Sequence, residues 1–100
     1  MEKTFAVESL GEGRYRLGVT YPDFVGLLSV AAGILASRGV NIIRGDIDTI
    51  GAYAWIVFEV SSTIHLDWDR LERELFDRLE KAYAGRLEEV QSELFARVAK

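Results

Sequence analysis

The sequence has no cysteine and one histidine, His65, among its 100 residues. Disulfides, thiolate metal sites and cysteine nucleophiles are therefore excluded, and a multi-histidine metal centre cannot be built. Asp and Glu are present, but not at the spacing of a calcium-binding EF-hand loop. Long apolar stretches are also lacking. The longest uncharged run covers residues 24–37, shorter than the roughly 20 residues a bilayer-spanning helix needs. The N-terminal Met-Glu-Lys-Thr-Phe carries no apolar signal core, so a cytoplasmic location is expected. A basic surplus is missing as well: the formal net charge is -4, which argues against nucleic acid as a partner. What remains is a chain 49% hydrophobic and 28% charged. That is the composition of one ordinary globular domain.

Within it the elements are punctuated clearly. Residues 4–10 alternate weakly and stop at Gly11-Glu12-Gly13, a turn signal. Residues 14–21 alternate cleanly, with Tyr15, Leu17, Val19 and Tyr21 on one face and Arg14, Arg16, Gly18 and Thr20 on the other. The two runs suit a hairpin. Pro22 breaks the strand, and Asp23 is expected to cap a following helix. That helix carries Leu27, Leu28, Ala31, Ile34 and Leu35 at helical spacing. Its other face holds Ser29, Ala32, Gly33 and Ala36, small and uncharged. Arg38-Gly39 should end it.

Residues 40–50 read as a strand whose alternation slips near Arg44-Gly45, the mark of a bulge. Gly51 turns into a further strand over 52–61. Both of its faces are largely apolar (Ala54, Ile56, Phe58 and Val60; Tyr53, Trp55 and Val57), which predicts a central strand covered on both sides. Asp69 and Glu72 have capping-box spacing, and Trp68, Leu71, Leu75, Leu79 and Tyr83 form a helical stripe. A last segment with Leu87, Val90, Leu94, Phe95 and Val98 is expected to be helical.

The order gives an α+β fold: a ferredoxin-like βαββαβ sandwich, with an antiparallel sheet and two helices on one face. The core spans 14–83, residues 4–10 add an N-terminal hairpin strand, and 86–98 form a C-terminal extension. Because the tail reads as a helix, residues 4–10 are the candidate to fill the sheet edge beside 14–21.

Two motifs stand at the strand and helix junctions: Asp23-Phe24-Val25-Gly26-Leu27-Leu28, then Gly39-Val40-Asn41-Ile42. Their order and separation resemble the ACT family of regulatory domains, whose pattern runs Asp-x-x-Gly-Leu-Leu into a helix and Gly-x-Asn-Ile into the next strand. The likeness is strong over 14–61 and looser over 68–79. It departs in placing Pro22 before the aspartate, where the family often has proline after it. Within the family the chain is similar to ACT modules of nitrogen-regulatory uridylyltransferases and to small stand-alone ACT regulators. The resemblance implies a homodimer that binds an amino acid at a subunit interface and controls an attached or partner metabolic enzyme. It implies no cofactor and no catalytic residue.

The residues themselves suit such a ligand. A helix start offers backbone amides and a positive dipole end to a carboxylate, and Gly26 lets a ligand approach the backbone. Asn41, expected nearby, both donates and accepts hydrogen bonds. The expected ligand-binding set is Asp23, Phe24, Val25, Gly26, Leu27 and Asn41. Structural uses compete: Asp23 as a cap, Gly26 as relief of crowding, Asn41 as a turn former. A ligand-free interaction and dimerisation module is the alternative. Catalysis finds little support. His65 lies near Asp67 and Asp69, but no nucleophile or oxyanion motif accompanies it. Asp46 and Asp48 share a strand face and read as solvated edge residues. An acylphosphatase-type phosphate cradle would need an arginine where residues 21–26 carry an aspartate. An RNA-binding sheet would need a basic ribonucleoprotein motif around Tyr53 and Trp55.

Overall fold

A computed structural model describes residues 2–86 and the single residue 96. The expected helix over 86–98 lies almost wholly outside the described residues. Six regular elements are present: β1 (Thr4–Gly11), β2 (Arg14–Pro22), α1 (Leu27–Ser37), β3 (Asn41–Ile50), β4 (Tyr53–Ser61) and α2 (Trp68–Lys81). A wide π-type turn, Ala82–Arg86, follows α2 and leaves helical geometry at Gly85. The strands form one antiparallel four-stranded sheet in the order β1-β2-β4-β3.

The hairpin in front forms because its turn chemistry is right. Glu12 and Gly13 both take positive φ, 56° and 74°, as a two-residue hairpin turn of the favoured hand requires. Gly13 is also pinned by space: a Cβ there would meet the Ser62 carbonyl oxygen at 2.8 Å. The register then sets Val7 opposite Leu17 and Glu8 opposite Arg16. In this way β1 occupies the sheet edge beside β2. The bulge in β3 falls between Ile42 and Arg44, at Ile43, just before the expected place.

Alternation sorts the sheet into two unlike faces. One carries Leu17, Val19 and Tyr21 of β2 and Ala54, Ile56, Phe58 and Val60 of β4, all buried. Leu27, Val30, Ala31, Ile34 and Leu35 of α1 and Leu71, Leu75, Phe76 and Leu79 of α2 close over it as one core. On the opposite face the described residues bury Thr20 but supply no second layer. Trp55 and Val57 are 51% and 43% exposed there. Among the described residues the expected cover on the second face of β4 is therefore not found, although β4 does lie in the middle of the sheet. Apolar alternation shows that a face seeks cover, but not whether the same chain supplies it.

Two helix starts also differ from expectation. Helix α1 begins at Leu27, and its N-cap is Gly26 at φ 93°, with no side-chain cap. Asp23 stands too far upstream to cap it. A left-handed turn at Gly26, a conformation natural only to glycine, redirects the chain into the helix. For α2 the cap is Asp67, whose Oδ1 accepts from the Arg70 amide at 3.1 Å. Asp69 sits inside the first turn, where its charge favours the helix dipole. In the α2 stripe, Leu71, Leu75 and Leu79 are buried, Trp68 is half-buried and Tyr83 is exposed. Helix α1 ends at Ser37, followed by Arg38 and Gly39, as the sequence suggests.

Candidate functional site

The end of β2 and the β3–β4 turn meet at one end of the sheet. Pro22 lies opposite Tyr53, and Tyr53 lies opposite Ile50. The Asp23 amide donates to the Ala52 carbonyl at 2.9 Å. This bond ties the loop before α1 to the hairpin between β3 and β4. Beside it opens a cavity of about 470 Å³ lined by Pro22, Asp23, Gly51, Ala52, Tyr53 and Tyr83. The walls combine two aromatic rings, one carboxylate and an exposed turn. An ammonium group can pair with the carboxylate, and an aliphatic or aromatic side chain can lie on the rings.

The floor behind this cavity is aromatic. Phe24 packs edge-to-face on Tyr21 and Tyr83, with ring centroids 6.2 and 5.7 Å apart, and Tyr21 stacks on Phe76 at 6.0 Å. Burial, with added repulsion from Glu80 and Tyr83, pushes the Tyr21 phenol up to about 12. It stays neutral at any physiological pH, and its buried hydroxyl finds no hydrogen-bond partner among the described residues.

The six expected site residues separate here. Asp23 lines the cavity. Phe24 supports it from behind. Val25 is 91% exposed and points away from the core. Gly26 provides the turn. Leu27 is buried, and its amide is used by the Phe24 carbonyl at 3.2 Å. Asn41 is not brought to them within the chain. It pairs with Ser61, which pairs with Arg14, at the other end of the sheet. Its Nδ2 donates to Ser61 Oγ at 3.2 Å. At ~3.3 Å per residue the length of β4 puts Asn41 roughly 25 Å from Tyr53. The topology holds the signal: a strand–helix–strand crossover returns the chain to the starting end of the first strand, so the first residue of β3 lies at the same end of the sheet as the first residue of β2, with β4 between them. Antiparallel pairing likewise brings Tyr53 to Asp23, a connection that neither local motif carries.

A second cavity, of about 350 Å³, is lined by Arg38, His65, Asp67, Arg70 and Glu74 together with Ile64, Leu66 and Leu71. Its charges are already engaged. Glu74 accepts from Arg38 and, at 3.1 Å, from Arg70. Burial pulls the Glu74 carboxyl upward, but the two guanidiniums outweigh it and hold the carboxyl below its usual range. The cluster clasps the end of α1 to α2. His65 lies exposed on the adjoining loop. Asp46 and Asp48 are exposed on β3, and Asp46 accepts from Arg44 at 2.9 Å. Among the described residues no group of acidic or histidine side chains is placed to hold a metal ion. No described helix is long and apolar enough to cross a membrane. No known protein family, curated protein or solved structure matches the chain.

Proposed function

We propose that the chain is a ligand-sensing and dimerising regulatory domain of the ACT type, acting in the cytoplasm on an attached or partner enzyme and not itself catalytic. The elements β2-α1-β3-β4-α2 follow the order of a ferredoxin-like sandwich, with β1 at the edge where that fold places its last strand. The observation that carries the reading is the cavity lined by Asp23, Tyr53 and Tyr83, between the end of β2 and the β3–β4 hairpin. An α-amino acid is the proposed ligand. Asp23 holds its ammonium, and Tyr53 and Tyr83 receive its side chain. Asn41 has no part in this pocket within one chain, and the proposed site narrows to the Asp23 end.

Thermal-shift measurement with each of the twenty amino acids tests the reading. A ligand at a hundred times its dissociation constant stabilises the fold by about 2.7 kcal/mol, a rise on the order of ten degrees for a domain of this size. Asp23→Ala abolishes that rise while leaving the unliganded melting temperature close to wild type, since the Asp23 side chain is exposed. No shift with any amino acid at millimolar concentration leaves a ligand-free interaction module as the better account. The separation of Asn41 from Asp23 is the observation that favours that second reading.

A further inference from the structure

The uncovered face of the sheet has an ordered surface. Residues directly opposite one another across the strands share a face, so the registers give its rows. One row, from β1 to β3, reads Glu8, Arg16, Glu59, Arg44. The next reads Ala6, Gly18, Val57, Asp46. The third reads Thr4, Thr20, Trp55, Asp48. Charge alternates in sign along the first row. Within the chain Arg16 pairs with Glu8 at 2.7 Å, Arg44 with Asp46 of the second row at 2.9 Å, and Glu59 with Arg14 of the neighbouring level at 3.1 Å. The middle of the face is apolar and stepped: Val57 and Trp55 stand up on β4, while Gly18 on β2 leaves open space above it.

We infer that this face docks on the same face of a second copy, about a two-fold axis that runs parallel to the strands between β2 and β4. This rests on the self-association proposed above and names the surface that performs it. The face is complementary to itself. Such an axis reverses each row and keeps its level along the strands. The charged row then meets its own reverse: Glu8 faces the partner copy's Arg44, and Arg16 faces its Glu59. All four positions meet opposite charge. In the second row Val57 settles over the glycine step at Gly18. In the third, Trp55 lies over the β2 position where Thr20 is already buried within its own chain, and Asp48 reaches the Thr4 hydroxyl. Two-fold closure is the commonest form of homo-oligomer, and facing sheets pack about 10 Å apart, a distance that long arginine and glutamate side chains span. An axis across the strands would instead lay the charged row against the Tyr53 end and lose the match. The axis along the strands also keeps both Asp23 cavities at one end of the dimer, because Tyr53 stands on the same face as Trp55.

Trans-complementation by analytical ultracentrifugation of the full chain tests the inference. Wild type sediments as a dimer at micromolar concentration. Arg16→Glu alone, and Glu59→Arg alone, place like charges against each other twice in the two-fold dimer and weaken it on the order of a hundredfold. An equimolar mixture of the two variants restores the dimer, since each variant then meets opposite charge on the other. Glu8→Arg mixed with Arg44→Glu behaves likewise. It serves as the second pair should a central variant fail to fold by circular dichroism, because β1 and β3 lie on opposite edges and the two residues cannot meet within one chain. A monomeric wild type contradicts self-association and this inference together. A wild-type dimer unmoved by the charge reversals keeps self-association and overturns the choice of face. Variants that separate but do not recombine on mixing overturn the axis. The amino-acid thermal shift is independent of all three results.

Discussion

The two faces of the sheet are built from the same strands by the same alternation, and they end differently. On β4, Phe58 is 1% exposed and Trp55 is 51% exposed, three residues apart in one strand. Phe58 lies under α1 and α2 within a continuous core. Trp55 looks out from a face to which the described residues bring no second layer. The covered face is apolar across β2 and β4, and the open face carries an apolar strip, Trp55 and Val57, among charged and polar residues. One is satisfied within the chain and stabilises the fold. The other is left open by the described residues, and that difference separates the residues that make the domain from those proposed to make its dimer.

The largest expected effect falls on the covered face. Phe58→Ala removes a buried ring from the centre of the core and costs about 3–5 kcal/mol, a large part of the 5–15 kcal/mol typical of a whole domain. Trp55→Ala, a comparable truncation on the same strand, costs about 1 kcal/mol or less in monomer stability, within the span of strand propensities. Urea unfolding at low protein concentration, monitored by circular dichroism, checks both. Equal losses would mean that the two faces are buried alike, and the comparison would collapse.

A smaller effect concerns pH and the clasp between α1 and α2. The Glu74 carboxyl is held below its ordinary value of 4.5 in the fold by Arg38 and Arg70, against the upward pull of burial. A group depressed in the folded state gives stability that is fully present above its unfolded value and is lost as pH falls through the folded one. Wild-type stability therefore declines as pH drops below about 4.5, the ordinary carboxyl value. Glu74→Gln removes part of that slope and lowers stability at pH 7. Unfolding free energies across pH 3–7 check this. An unchanged slope in Glu74→Gln would assign the acid sensitivity to other carboxylates. The open-face pairs, such as Arg16–Glu8 with side chains 53% and 62% exposed, contribute little to monomer stability by comparison.

Much of this division is legible in the residue order alone. Clean alternation in residues 14–21 marks the inward set Leu17, Val19 and Tyr21. The glycine-rich turn at 11–13 marks the hairpin, because its residues must take φ values that glycine supports. The helix stop at Gly39 follows from the same logic. Other features depend on geometry that composition does not carry. Asp23 has the chemistry of a cap, but Gly26 turns the chain after it, and a cap must stand immediately before the first helical residue. Asp67 and Asp69 are equally good candidates by type, and the position of the first turn selects Asp67. The proposed site is half legible. Asp23 stands out by motif, whereas Tyr53, Gly51 and Ala52 reach it only through the pairing of β2 with β4. The motif around Asn41 points to the same pocket, and the direction of β3 carries that residue to the far end. A local motif identifies what a residue can do, and strand direction decides which other residues it can do it with.

Self-association is assigned to the open sheet face and not to the core. Sedimentation equilibrium of wild type beside Val57→Asp tests it most directly. Wild type is expected to be a dimer, and the Val57→Asp protein a monomer at the same micromolar concentrations with its circular-dichroism spectrum retained. A Val57→Asp protein that remains as dimeric as wild type would contradict it.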